Sequence, residues 1–180
     1  MNRYVLVFCS ANDLDDKYTK PAQQFARLLA QNGYHLIWGG SDRGLMKEIA
    51  SAVQDNGGKL IGISVELFRD RVRKNADEMI IVKDLGERKA LMLKRADAVA
   101  VLVGGTGTLD EITEVLELRK LDQHNKPIVA LNTDNFFSGL KTQLERMNTD
   151  GFIPKKNLDQ LIHFARTPED AIAYINKSLS

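Results

Sequence analysis

The sequence predicts a single Rossmann-like α/β domain over residues 1–180, with a doubly wound, mainly parallel sheet of about seven strands and helices on both faces. Short apolar runs rich in β-branched residues alternate with longer segments of helical periodicity. Several runs are apolar almost throughout, as is typical of strands covered on both faces. Strict alternation favours parallel strands joined by right-handed crossovers. No linker, internal repeat or low-complexity segment divides the chain, so we expect one domain.

The predicted strands are short apolar runs bounded by turn residues. They cover residues 4–10, 34–38, 59–64, 78–82, 98–103, 128–131 and 161–164. Between them, apolar residues recur at helical spacing on two clear faces: Ala22, Phe25, Ala26 and Leu29, then Met46, Ile49, Ala50 and Val53. Asn32-Gly33 and Gly57-Gly58 indicate helix ends. Thr167-Pro168-Glu169 indicates the start of the last helix.

Composition excludes several classes of function. The chain has 25 basic and 24 acidic residues, a balance that does not favour nucleic-acid binding. The single cysteine, Cys9, permits no intramolecular disulfide, and we interpret it as a small buried hydrophobic residue. The first apolar run is too short for a signal peptide, and no run is long enough to span a membrane. We therefore expect a cytoplasmic protein without nucleic-acid or membrane partners.

The loop after residues 98–103 is the strongest candidate for a ligand site. It reads G-G-T-G-T over residues 104–108, so backbone amides can approach an anion without Cβ interference. The helix that follows points its N-terminus at the same place, which favours a phosphate. The sequence is neither a Walker A loop nor a G-x-G-x-x-G fingerprint, which disfavours an ATPase or a dinucleotide-binding role.

Glu111 follows this loop and has two interpretations. Thr108-Leu109-Asp110-Glu111 has the pattern of a capping box, in which Thr108 is the N-cap and Glu111 only closes its own helix end. Alternatively, a carboxylate beside a phosphate cradle contacts a sugar hydroxyl or an attacking water. The glycines before it favour the second interpretation.

A second glycine-rich turn, G-G-S-D-R-G-L-M over residues 39–46, follows the strand at 34–38. By itself it could be a tight turn with Ser41 or Asp42 as the helix cap. Two such turns at one edge of a sheet indicate a ligand with a phosphate and another polar part. The basic stretch at residues 69–74 is better explained as a solvated face than as a phosphate site.

Arg88 lies on a predicted helix just before the strand at 98–103, on one face with Met92 and Arg95. A cation on a largely apolar face needs a partner. The partner could be an acidic residue of this chain, or a phosphate or carboxylate of a ligand. His35, His124 and His163 have no metal-ligand spacing, and we expect no metal site.

These motifs together resemble the LOG (LONELY GUY) family of phosphoribohydrolases. The family signature P-G-G-x-G-T-x-x-E appears as V-G-G-T-G-T-L-D-E over residues 103–111, and M-H-E-R-K-A-x-M appears as L-G-E-R-K-A-L-M over residues 85–92. G-G-x-x-x-G-L-M-G is matched from Gly39 to Met46, with Lys47 in place of the last glycine. The family's C-G-S-S appears as C-S-A-N over residues 9–12. The likeness extends over most of residues 4–150.

The resemblance implies a cytoplasmic homodimer with its site near the subunit interface, needing no cofactor. The implied reaction hydrolyses the N-glycosidic bond of a nucleoside 5′-monophosphate, a cytokinin ribotide or AMP, to free base and ribose 5-phosphate. It implies that Arg88 and Glu111 are catalytic. The implied substrate-binding residues are Ser10, Gly39, Gly40, Gly44, Met46, Lys89, Gly104, Gly105, Thr106, Gly107 and Thr108. The alternative is a carrier of a phosphorylated ligand without turnover, as the molybdenum cofactor carriers of similar fold are. Relatives have often been labelled lysine decarboxylases, but no residue pattern here favours that chemistry.

Overall fold

The computed structural model describes residues 3–153 and 158–180, and these form one seven-stranded sheet surrounded by helices. The strands are β1 (Arg3–Phe8), β2 (Tyr34–Trp38), β3 (Leu60–Val65), β4 (Glu78–Val82), β5 (Ala98–Val101), β6 (Ile128–Leu131) and β7 (His163–Ala165). The helices are α1 (Asp16–Gln31), α2 (Gly44–Gln54), α3 (Leu85–Arg95), α4 (Thr106–Lys120), α5 (Ser138–Thr149), α6 (Leu158–Leu161) and α7 (Pro168–Leu179). The sheet order is β4-β3-β2-β1-β5-β6-β7, and every neighbouring pair is parallel.

Alternate residues of the strands enter two separate cores, one on each face of the sheet. In β1, Val5 and Val7 face the core formed with α1, α2 and α7, whereas Leu6 and Phe8 face the core formed with α3, α4 and α5. The period of two residues places neighbouring side chains on opposite faces, so a strand covered on both faces is apolar throughout. The predicted doubly wound α/β fold is thereby confirmed.

Four strands differ from their predicted limits. β1 covers Arg3–Phe8 where 4–10 was predicted, and β3 covers Leu60–Val65 where 59–64 was predicted. β5 ends at Val101, two residues early, although the amide of Ser10 still donates to Val103 O at 3.0 Å. β7 begins at His163, whereas the prediction began at residue 161. Leu161 instead closes α6, and the amide of Ile162 donates to Leu158 O. Both residues are buried, so the apolar run joins a helix end to a strand start and cannot locate the boundary.

The helix ends follow the predicted signals. Asn32 is the C-cap of α1, and Gly33 follows it with a φ of +79°. Thr167 caps α7 by accepting from the amide of Asp170. The end of α2 comes at Gln54, and the amide of Gly57 closes the turn by donating to its carbonyl. No helix in the described part of the chain combines the length and apolar character needed to cross a membrane.

The order of the strands creates a crevice at the carboxyl ends of β1 and β5. The chain moves outwards from β1 to β4 on one side, and α3 then returns it to β5 on the other side of β1. The loops after β1 and β5 run in opposite directions, so a gap opens between them. Such a gap is the usual ligand site of an open α/β sheet. Both glycine-rich turns lie at this edge.

Candidate active site

The N-terminus of α4 is uncapped. The helix begins at Thr106 with Gly105 as its N-cap, and no side chain accepts a hydrogen bond at the cap. The capping-box interpretation of Thr108 is therefore wrong: Thr108 is the third residue of the helix, because the chain becomes helical three residues earlier than the pattern suggests. Thr108 is buried against Gly104, where a Cβ would overlap its hydroxyl. The first amides of α4 thus keep their capacity for an anion.

The second glycine-rich turn differs from the first, because the protein itself occupies its helix N-terminus. The amides of Leu45 and Met46 donate to Asn12 O at 3.1 Å and to Ser10 O at 3.2 Å. Arg43 is the N-cap of α2 and makes no side-chain capping bond, so the interpretation of Ser41 or Asp42 as the cap is wrong. The loop after β1 supplies the caps instead, and only the α4 turn has its first amides open.

Gly44 shows how tightly the two loops fit. Its φ is +52°, and a Cβ there would overlap backbone atoms of Asn12 and Ala11. Ser10 is buried, and its hydroxyl accepts from the amide of Asn12 at 3.0 Å. The predicted substrate contacts of Ser10 and Gly44 stay predictions, but both residues fix the wall of the crevice.

Gly39, Met46 and Arg88 converge at the end of β2. A Cβ on Gly39 would lie 3.2 Å from Met46 Sδ and 3.8 Å from Arg88 Nη2. Gly40 follows with a φ of +78°, and a Cβ there would lie 3.0 Å from Met79 Sδ and 3.4 Å from Ser64 Cβ. The absence of a side chain therefore makes room for the Met46 thioether at Gly39 and for the Met79 thioether at Gly40.

Arg88 and Glu111 form a buried ion pair between α3 and α4. Asp84 caps α3 by accepting from the amide of Glu87, which fixes the start of the helix and places Arg88 one turn inside it. Arg88 Nη2 donates to Glu111 Oε1 across 23 residues of sequence, and the two residues are 8% and 6% exposed. Of the two partners considered for Arg88, the structure shows the acidic residue of this chain.

The pair leaves two unusual groups at the site. Burial raises the pKa of Glu111 above its ordinary value, and the opposing effect of the Arg88 guanidinium does not cancel the rise. Arg88 Nε is buried without a hydrogen-bond partner among the described residues. A guanidinium N–H that is left unpaired in a protein interior is unfavourable, which is a reason to expect a ligand oxygen there.

Cys9 lies at the end of β1, close enough to Glu111 for the carboxylate to affect its thiol. It is 2% exposed, and burial together with the negative charge of Glu111 raises its pKa far above the ordinary value. The thiol therefore stays protonated and neutral at physiological pH, which excludes a thiolate nucleophile. The interpretation of Cys9 as a small buried hydrophobic residue is confirmed.

Lys89 forms ion pairs with two acidic residues of α4. Its ammonium lies 2.9 Å from Asp110 Oδ2 and also pairs with Glu114, and its side chain is only 14% exposed. These carboxylates raise the pKa of Lys89. Its predicted contact with substrate stays a prediction, and the partners that the structure gives it are acidic residues of the chain.

Two cavities adjoin the glycine turn of α4, and no residue of α3 lines either of them. One, of about 220 Å³, is lined by Ser10, Asn12, Leu14, Tyr18, Val103, Gly104, Gly105 and Phe136. The other, of about 400 Å³, is lined by Gly104, Gly105, Thr106, Thr108, Leu109, Phe136, Phe137 and Leu140. Phe136 is common to both and its ring meets Tyr18 edge-on. The sequence reasoning missed these aromatics, although Phe136 follows β6 at the same edge of the sheet.

The basic stretch at 69–74 includes one residue that is not solvated. Arg73 is 9% exposed and donates to Asp42 Oδ1 at 2.8 Å and, through Nη2, to Gln54 Oε1 at 2.7 Å. The prediction of a solvated face is wrong at this position, because Arg73 ties the second glycine-rich turn to α2. Its neighbours Arg69 and Arg71 are exposed, as predicted.

A doubly wound parallel sheet, with an uncapped helix start and a buried Arg–Glu pair at its switch point, defines a Rossmann-like protein with a candidate anion site in its crevice. The family model described as "Possible lysine decarboxylase" matches residues 46–175. The chain is 35% identical over 175 residues to the cytokinin riboside 5′-monophosphate phosphoribohydrolase of Rhodococcoides fascians, covering 95% of this chain and 88% of that protein. A Mycobacterium tuberculosis protein of the same name is 32% identical over 88% of this chain and 86% of its own length. The chain belongs to this family, the LOG family.

Solved structures share the fold at lower sequence identity. The molybdenum cofactor binding protein of Rippkaea orientalis matches with a TM-score of 0.77 and 23% identity, covering 100% of this chain and 99% of that one. The molybdenum cofactor carrier protein of Chlamydomonas reinhardtii matches with a TM-score of 0.76 and 20% identity, covering 99% of both chains. At such identities the likeness concerns the fold alone.

Proposed function

We propose that this protein hydrolyses the N-glycosidic bond of a nucleoside 5′-monophosphate, releasing the free base and ribose 5-phosphate. The observation that carries the proposal is the buried Arg88–Glu111 pair, with its raised carboxyl pKa, close to an uncapped helix N-terminus. Perturbed titratable groups in a cleft are typical of catalytic sites. The relatives that match most of this chain are named as phosphoribohydrolases, which supports the same reaction.

The 5′-phosphate binds at the start of α4. Residues 105–108 offer consecutive amides, and the helix dipole adds partial positive charge at the same point. A Cβ on Gly105 or Gly107 would meet no atom within 4 Å, so open space adjoins both residues. The phosphate takes no part in bond breaking, but its binding energy holds the ribose against the catalytic pair.

Glu111 and Arg88 act on the sugar. As the C1′–N bond breaks, positive charge develops on the ribose ring, and the carboxylate of Glu111 stabilises it or accepts a proton from the attacking water. The water oxygen bonds to C1′, and the base leaves with the bonding electron pair and takes up a proton. Arg88 favours the ionised form of Glu111 through Nη2 and donates from its buried Nε to a substrate oxygen.

The preferred substrate within this class is a cytokinin ribotide or AMP. The relatives are named for their activity on cytokinin riboside 5′-monophosphate, which supports the cytokinin ribotide. Gly39 and Met46 beside Arg88 supply a neutral wall to the crevice there. An uncharged heterocycle suits such a wall better than a second anion does.

The working unit is a homodimer that uses the outer face of α4 and α5. Leu109, Met147 and Phe152 are 48%, 36% and 72% exposed there, around an apolar groove of about 410 Å³. Leu109 and Leu140 line both this groove and the cavity beside the glycine turn, so a second copy on this face would lie next to the site. Size-exclusion chromatography with light scattering should give a dimer, and Phe152→Glu should give a monomer. A wild-type monomer at micromolar concentration would contradict the dimer.

One incubation tests the reaction. Purified protein is mixed with AMP, with a cytokinin ribotide and with adenosine, and free base and ribose 5-phosphate are separated by chromatography. Both monophosphates should be cleaved and adenosine should not, because the nucleoside lacks the group that the α4 amides bind. Tight binding of nucleotide or pterin phosphate without any turnover would overturn the proposal in favour of the carrier function.

A further inference from the structure

Lys89 contacts the acidic residues on both sides of Glu111. Its ammonium lies 2.9 Å from Asp110, the residue directly before Glu111, and pairs with Glu114, three residues after it. The Lys89 side chain is 14% exposed, whereas Asp110 is 61% exposed. Lys89 is therefore held inside the contact between the helices, and its flexible end is fixed by two acceptors.

Arg88 and Lys89 are consecutive on α3, so their side chains leave the helix about 100° apart. Each reaches a different row of acids on α4: Arg88 reaches Glu111, and Lys89 reaches Asp110 and Glu114. The three pairs make a short ladder that sets both the distance and the rotation between the two helices. One cation opposite two carboxylates has no excess positive charge to offer a phosphate.

The titratable groups near Glu111 belong to three elements. From α3, Arg88 and Lys89 favour its ionised form; from α4, the carboxylate of Asp110 disfavours it. The neutral thiol of Cys9 faces it from the end of β1. Lys89 thus opposes the one negative neighbour that acts directly on Glu111, and it does so from a fixed position.

We propose that Lys89 is a positioning residue, which aligns Arg88 with Glu111 and offsets the acidic neighbours of that carboxylate, and that it does not contact the substrate. This role rests on the proposed function, since it assigns Lys89 a task within the same site. Loss of the Lys89 charge leaves Asp110 and Glu114 without their cation. Glu111 then takes up a proton more readily, and the fraction ready to act at a given pH falls.

The test compares Lys89→Met, Lys89→Arg and Asp110→Asn with Lys94→Met, a change to an exposed lysine on the same helix. In Lys89→Met, the acid limb of the pH dependence of kcat should shift to higher pH by about one unit. At a fixed pH on that limb, kcat should therefore fall about tenfold. KM for AMP should change less than about twofold. Lys89→Arg should restore the profile, Asp110→Asn should move the limb to lower pH, and Lys94→Met should change neither.

A KM that rises about tenfold in Lys89→Met with an unmoved acid limb would instead show a contact with substrate and overturn the proposal. A measurement without turnover separates this role from the proposed function. The carboxyl carbon of Glu111, assigned by its loss in Glu111→Gln, is titrated by carbon-13 NMR in the wild type and in Lys89→Met. A higher pKa in the variant supports the role even if no monophosphate is cleaved, and an unchanged pKa contradicts it. Should Lys89→Met fail to fold, Asp110→Asn tests the same electrostatic effect on Glu111, and the pKa of Glu111 should then fall.

Discussion

Glu111 accepts a buried hydrogen bond from Arg88, yet its pKa stays above the ordinary value for a glutamate. Burial of the carboxylate therefore outweighs the guanidinium beside it. A raised pKa makes this carboxylate a stronger base than an ordinary glutamate, which suits general acid–base chemistry.

Glu111→Gln should abolish most of the turnover while keeping the fold. The amide retains an acceptor for Arg88 but removes the negative charge, so base release should fall about 10²–10⁴-fold. Glu117→Gln, on the same helix, should lose less than about twofold, because Glu117 is 53% exposed and its ion pair with Lys120 contributes little. Ribose 5-phosphate release gives the rates, and circular dichroism checks the fold. Wild-type turnover in Glu111→Gln would exclude Glu111 from the chemistry.

The raised pKa of Glu111 should also appear in the free energy of unfolding. In the unfolded chain a glutamate titrates near about 4.3, whereas in the native protein Glu111 holds its proton to higher pH. The native state thus binds more protons in this window, and its stabilising effect is lost as pH rises through the folded pKa. Urea unfolding from pH 4 to pH 8 should show this loss in the wild type relative to Glu111→Gln. A constant difference between the two proteins would contradict it.

Gly104→Ala and Gly107→Ala should differ in sign. A Cβ at Gly104 would overlap the hydroxyl of Thr108, which is buried and cannot retreat, so the substitution should destabilise by about 1–3 kcal/mol. A Cβ at Gly107 meets nothing within 4 Å, and alanine inside a helix should stabilise by about 0.5–1 kcal/mol. Gly107→Ala should nevertheless raise KM if the phosphate lies at the start of α4. Urea midpoints and AMP kinetics measure the two effects.

Gly44→Ala should be much more damaging than Gly33→Ala. Both glycines have positive φ, but a Cβ on Gly44 would overlap the backbone of Asn12, whereas Gly33 faces open space. Gly33→Ala should cost about 1–2 kcal/mol, the strain of a left-handed residue. Gly44→Ala adds a clash with main-chain atoms, and it should separate α2 from the loop after β1. Equal urea midpoints for the two variants would mean that the loop yields easily.

Much of the fold could be predicted from the sequence, since it depends on patterns that a single strand or helix carries alone. The β2, β4 and β6 limits were predicted to the residue, because turn residues bound each apolar run. The limit at Leu161 was wrong, since an apolar run continues across a helix end and a strand start. Local spacing cannot separate two elements that bury the same kind of side chain.

The site was predictable only in part. The glycine turn and the residues Arg88 and Glu111 carry a recognisable pattern. However, α4 begins three residues earlier than predicted, so Thr108 is a buried residue inside the helix and not its cap. The partners of Lys89 and Arg73 depend on how separate elements pack. No spacing within one element contains that information, so a row of charges looks the same whether it is solvated or buried.

Because Cys9 is buried, the reactivity of its thiol can measure how often the end of β1 becomes exposed to solvent. A thiol that is covered and kept protonated does not react with alkylating reagents while the protein is folded. As the sequence has no second cysteine, every labelling event would come from this one atom. The rate of alkylation would therefore measure how often local unfolding exposes the end of β1, which is close to Glu111. A bound nucleotide that slowed this rate would reveal its own affinity without any turnover.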